Sequence, residues 1–215
     1  MPRTVRHPAE PVQPLPAAIQ PAAPQSVRER ILATAKELFY REGARAVGVD
    51  TVVAQSGVAK TSLYRWFPSK DALIAAVLEE EARERWEGWD TILQRAEPDP
   101  RARVRALFAG IVRYVSSSRF RGCPFMNVIT EFPDEHHPGR IVAVNVSLEL
   151  RRRLDSMATA IEGVRDSAEL SDQLALLVEG AFAAAHVLGK NGPQKHLISA
   201  ADALVEAQLR PPTTA

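Results

Sequence analysis

Seven side chains suited to a charged, hydrogen-bonding surface fall within eleven residues of this chain: Lys60, Thr61, Ser62, Tyr64, Arg65, Trp66 and Lys70. Three are cations, three carry hydroxyls and one offers an indole N–H. Such a set holds and reads rather than cuts. Cations and hydroxyls bind phosphate oxygens, while a Lys can meet guanine O6 and N7 and a Thr methyl can touch thymine. Leu63 and Phe67, four apart, share the opposite face and anchor the segment, which leaves Tyr64, Arg65 and Trp66 free to reach phosphates or base edges. Gly57 supplies a tight turn ahead of the run. This is how a helix-turn-helix offers its second helix to a major groove.

Other residue sets invite covalent or metal chemistry. Cys123 lies in Arg119-Phe-Arg-Gly-Cys-Pro-Phe-Met-Asn127, at a helix start beside two arginines. Those neighbours favour a reactive thiolate, so Cys123 reads either as a modifiable sensor or as a small residue filling a gap. A helical enzyme with Cys123 as nucleophile and His136, His137 or His186 as base is the alternative of a different class. It would leave the basic run unexplained, and no glycine-rich phosphate loop or nucleophile elbow accompanies it. Asp134-Glu-His-His137 lacks the usual zinc spacings and reads as a polar loop, so neither a metal nor a cofactor is expected.

The elements that must position these residues are helical. No strand candidate of useful length alternates, and apolar residues recur at helical spacing, which makes the chain all-α. Residues 1–25 hold seven prolines and read as an arm without regular structure. Ser26-Val-Arg-Glu29 is a capping box that opens the first helix, with Ile31, Ala35, Leu38 and Phe39 on one face and Gly43 as its stop. Helices are then expected near 49–55 and 59–66, with a fourth capped by Ser69 and opened by Lys70. Further helices follow over 101–118, 124–131, 139–163, 169–188 and 193–209, about nine in all. The 215 residues suffice for a substantial core.

Charge is unequally shared. Residues 26–70 carry eight Lys or Arg against four Asp or Glu, whereas 71 onward carries seventeen against twenty-one. A basic head on an acidic body suits a protein that meets phosphates at one end only. No apolar run approaches the ~20 residues of a bilayer span, and the start lacks a signal peptide's apolar stretch. A single Cys fits a reducing compartment, so no membrane association and a cytoplasmic location are expected.

Ala35, Leu38, Phe39, Gly43, Gly57, Val58, Leu63, Tyr64, Phe67, Ser69, Lys70 and Leu73 together resemble the DNA-binding domain of the tetracycline-repressor family of one-component regulators. The resemblance covers 26–73. It implies a three-helix head over 26–71, a connector helix, and a ligand-binding and dimerisation body over 72–210, with a tail at 211–215. It places base reading at Lys60, Thr61 and Tyr64, and phosphate contacts at Ser62, Arg65, Trp66 and Lys70, although Trp66 stands where Tyr or His is common and packing is its other role. Ala59 and Gly48 also depart from the pattern, since neither offers a capping or phosphate-binding hydroxyl.

The resemblance further implies a homodimer on a palindromic double-stranded operator, joined through 169–188 and through Leu197, Ala201, Leu204 and Val205. Packing of these stripes within one chain is the alternative. It implies a repressor released by a small hydrophobic or electrophilic effector, with a ligand-independent binder or an activator as alternatives. A ligand cavity would lie in the body, with Phe108, Ile111, Tyr114, Cys123, Phe125, Met126, Ile129, Phe182 and His186 as candidate lining, although each taken singly suits a plain core better.

Overall fold

Among residues 26–209, which the computed structural model describes, the chain forms nine α-helices and no strand beyond an isolated bridge between Val164 and Leu209. The arm expected over 1–25 and the tail expected over 211–215 lie outside the described residues. α1 (Val27–Glu42) opens on the predicted capping box: the Glu29 amide donates to Ser26 Oγ at 3.1 Å and the Ser26 amide to the Glu29 carboxylate at 2.8 Å. α2 (Val49–Ser56) and α3 (Lys60–Trp66) follow, and α4 (Lys70–Arg95) is capped by Ser69, whose hydroxyl accepts from Ala72 at 3.0 Å.

Pro100 begins α5 (Pro100–Val115) instead of standing before it. A proline at the first position gives up an amide that has no partner there, and Asp99 caps the helix by accepting from Ala102 at 2.7 Å. Pro124 and Pro138 open α6 (Pro124–Glu131) and α7 (Pro138–Thr159) in the same way. α7 stops short of the expected residue 163, and Ile161 beyond its end is buried in the core. α8 (Ser167–Leu188) starts two residues before the expected 169, capped by Asp166, and two short 3₁₀ turns, Gly189–Asn191 and Pro193–His196, precede α9 (Leu197–Gln208).

Two apolar clusters hold the molecule. One joins Leu107, Phe108, Leu154, Leu170, Leu174 and their neighbours on α5, α7, α8 and α9. The other gathers Ile31, Leu38, Val52, Leu63 and Phe67 of α1–α3, but it also takes in Leu73, Ile74 and Val77 of α4, Phe125 and Val128 of α6, and Ala143 and Val146 of α7. The floor beneath α1–α3 is therefore built from the body. Gly139 makes that approach possible: a Cβ there would stand 2.8 Å from Ile74 Cγ2.

Polar contacts fix the same joint. The Arg45 amide donates to the Glu131 carboxylate at 2.5 Å, and the Arg45 guanidinium donates to the Glu131 carbonyl at 3.1 Å. The Tyr40 hydroxyl accepts from the Arg121 amide at 2.7 Å and donates to the Gly122 carbonyl at 3.2 Å. Lys36 of α1 contacts Glu81 at 3.2 Å and Glu84 at 2.5 Å, both on α4. Burial works against the Lys36 ammonium, yet the two carboxylates outweigh it and raise its pKa. Burial likewise pushes the Glu81 carboxyl up, with Lys36 only partly offsetting it.

Candidate nucleic-acid interface and adjoining cavity

Gly57 sets the angle between α2 and α3. Its φ of 65° is the left-handed conformation that an L side chain adopts only at a cost of about 1 kcal/mol or more, and nothing else crowds the position. Leu63 and Phe67 are buried and pin α3 to α1 and α2, as their spacing predicts. The Phe67 amide closes the helix on the Leu63 carbonyl at 2.8 Å, and the Arg28 guanidinium lies 5.6 Å from the Phe67 ring centre. Arg28 thus adds an exposed cation beside α3 that no sequence spacing indicates.

With its inner face pinned, α3 turns the predicted residues outward. Lys60, Thr61 and Arg65 are exposed, Tyr64 is 43% exposed and Trp66 50%, while Ser62 is half-buried. Trp66 therefore stands free of the core. Ala59 and Gly48 make no side-chain cap, in keeping with their residue types.

Two of the seven predicted residues have partners within the chain. Lys60 Nζ lies 2.7 Å from the Asp50 carboxylate on α2, which favours its charged form through a hydrogen bond and Coulomb attraction. Lys70 Nζ donates to the Arg45 carbonyl at 2.9 Å, and burial lowers its pKa despite nearby Asp71 and Glu131.

A cavity of about 620 Å³ opens between α4, α5 and α8. Ile111, Tyr114 and Phe182 line it, together with Trp89 and Arg85, which the residue spacing did not single out. Gly110 belongs to the same wall, where the tip of Ile92 takes the place of a side chain. Phe182 stacks edge-on or tilted against Phe120 and Tyr114 at 5.7 and 5.8 Å between ring centres.

The other expected lining residues lie elsewhere. Phe108 is fully buried in the body cluster, away from the void. Phe125 and Ile129 belong to the cluster beneath α1–α3, and Met126 points to solvent. His186 is exposed and sits beside Gly122. Cys123 is half-buried at the start of α6, with the Arg85 guanidinium 3.6 Å from its Sγ, and does not itself line the cavity. Helical periodicity marks the inward stripe, but packing decides which part of that stripe faces a void and which faces another helix.

His137, expected in a polar loop, is buried. Its Nδ1 accepts from the Gly139 amide at 3.1 Å, its ring stacks on Phe132 at 4.2 Å, and Nε2 lies 3.4 Å from Asp71. With Nδ1 occupied by a cap, it is a structural residue and a poor base for Cys123. Among the described residues no three His, Cys, Asp or Glu side chains gather in a metal-holding cluster, and no helix is long and apolar enough to cross a membrane.

Comparison with known proteins agrees with this geometry. Residues 31–77 match the family model "Bacterial regulatory proteins, tetR family", and residues 100–201 match "Tetracyclin repressor-like, C-terminal domain". Among solved structures, the tetR-type transcriptional regulator sav143 of Streptomyces avermitilis is 30% identical, with 86% of this chain and 100% of that one covered at a TM-score of 0.73. A TetR-family transcriptional regulator of Streptomyces coelicolor is 27% identical over 85% of this chain and 95% of that one, at a TM-score of 0.79. Among curated relatives, the HTH-type regulator EthR of Mycolicibacterium smegmatis is 27% identical over 35% of each chain. The uncharacterised HTH-type regulator YxaF of Bacillus subtilis is 48% identical over 20% of this chain. The matches span 22% of YxaF and 35% of EthR, well short of either protein's whole length. An exposed recognition helix on an all-α body, two family models and these relatives agree: the chain belongs to the tetracycline-repressor family of transcriptional regulators.

Proposed function

We propose that this regulator is a homodimeric repressor that binds a palindromic operator in the cytoplasm and leaves it when a small molecule enters the α4–α5–α8 cavity. The observation that carries the reading is α3 itself. Thr61, Tyr64, Arg65 and Trp66 stand on one exposed surface while Leu63 and Phe67 hold the opposite face in the core. Lys60, Thr61 and Tyr64 would read bases; Ser62, Arg65, Trp66 and Lys70 would hold phosphates.

A lone recognition helix covers one half-site, so a second copy supplies the other. Support comes from α8, whose outer face carries Leu176 at 70% and Val187 at 78% exposure, with Gly180 and Ala183 between them. Ile141, Val144 and Leu148 of α7, which packs on α8, are exposed apolar side chains as well. Leu197, Ala201 and Val205 of α9 pack inside their own chain. α9 would contribute its outer residues Ala203 and Ala207 instead.

Release would pass through α4. Glu81 and Glu84 line the cavity and also hold Lys36 of α1, so a ligand that displaces them favours a different setting of the head. The test is selection of fragmented source-genome DNA on the purified protein, followed by sequencing. An enriched palindrome supports the proposal, and a folded dimer that enriches no sequence refutes it.

A further inference from the structure

The charges around the 620 Å³ cavity are unequally committed. Its two carboxylates, Glu81 and Glu84, both contact the Lys36 ammonium. Its three guanidiniums, Arg85, Arg95 and Arg113, form no ion pair among the described residues. Arg85 is the telling one. It is half-buried, with its guanidinium carbon 4.5 Å from the Phe125 ring centre and 5.3 Å from that of Phe182. Its side-chain hydrogen-bond partner among the described residues is Cys123 Sγ at 3.6 Å, a weak acceptor. A fork of donors has been partly stripped of water and given no carboxylate at ion-pair distance; Glu81, one turn back on α4, acts on it only through the Coulomb field.

The walls beside it are aromatic. Tyr114, Phe182 and Trp89 all border the void, and the Tyr114 and Phe182 rings lean against each other. Resting on the effector-cavity reading above, we propose that the effector is an aromatic carboxylate. Its rings lie against Tyr114, Phe182 and Trp89, and its carboxylate meets the Arg85 guanidinium with paired N–H donors. Arg95 stands ten residues further along α4, about 15 Å down the helix axis. With Arg113 it adds positive potential along the cavity wall, which draws an anion in. A cationic ligand would have to take Glu81 or Glu84 from Lys36, and a neutral hydrophobe would cover Arg85 without supplying an acceptor, a costly burial.

The test uses the full-length protein and a panel of naphthoates and biphenyl carboxylates, each paired with its isosteric primary amide. Quenching of Trp fluorescence reports binding beside Trp89. Carboxylates are expected to bind at least tenfold more tightly than their amides. Arg85→Met, which keeps the apolar contacts with Phe125 and Phe182, should bring each pair within about twofold, while Arg85→Lys should keep part of the preference. Equal binding of acids and amides, no binding by any member, or an unchanged preference in Arg85→Met overturns the proposal. Operator affinity is measured separately with the same compounds. Acids that bind without weakening operator affinity would leave the ligand class standing and remove the release reading. Release by an amide alone would do the reverse.

Discussion

Replacing Lys36 with Met tests what the ion pair between α1 and α4 contributes to the joint between head and body. The Lys36 side chain is 28% exposed and Glu81 18%, so their pair lies nearer the buried than the surface case. Breaking a buried pair costs about 3–5 kcal/mol, whereas a surface pair contributes about 0–1 kcal/mol. Residual solvent access places Lys36→Met near 2 kcal/mol, or about 4–8 °C in Tm for a chain of this size. The loss should depend on pH in a defined sense. Burial raises the Glu81 carboxyl above the usual carboxylate value, so its charged form destabilises the fold as pH rises through that raised pKa. Removing Lys36 removes the cation that offsets this burial and pushes the carboxyl higher still. The variant should therefore lie close to the parent near pH 5 and fall behind it by pH 8. Thermal melts at one protomer concentration across that range decide the matter. An equal deficit at both ends would mean that Lys36 acts by packing alone, and that the Glu81 charge is not felt in the core.

Other outcomes follow from single contacts. Asp50→Asn releases Lys60 and removes a carboxylate beside the groove, so affinity for operator should rise; unchanged affinity would show that the pair with Asp50 does not hold Lys60 back from DNA. Gly57→Ala should cost about 1 kcal/mol in urea melts, from the left-handed backbone alone, since no atom crowds that position. Leu176→Glu combined with Val187→Glu should give a folded monomer in sedimentation at micromolar concentration and lose operator binding; a dimer that persists would move the interface off α8.

The sequence made the helices legible because their punctuation is local. Ser26 with Glu29, Ser69 before Lys70, and Gly57 each act within one turn, and each stands where expected. Leu63 and Phe67 likewise announced the inward face of α3. What stayed hidden depends on partners distant in the chain. Asp50 reaches Lys60, and Glu131 reaches Arg45 across 86 positions; no spacing within either segment signals these contacts. Phe108 and Phe182 carry the same apolar type on helical stripes, yet only Phe182 meets a void. His137 reads as loop-like beside Asp134 and Glu135, and only the stacking of Phe132 and the cap on Gly139 draw it inside.

The shared floor under α1–α3 bears on how such regulators can be recombined. Because Phe125, Val128, Ala143 and Val146 fill the base of the DNA-reading half, a cut near residue 71 would expose Ile74, Val77 and their partners to water. A sensor engineered by exchanging heads between relatives would therefore inherit a mismatched seam, even with every groove-facing residue intact. The transplantable unit is a head together with the face of α6 and α7 on which it rests, and a library of chimeras should find its functional junctions there rather than at the linker.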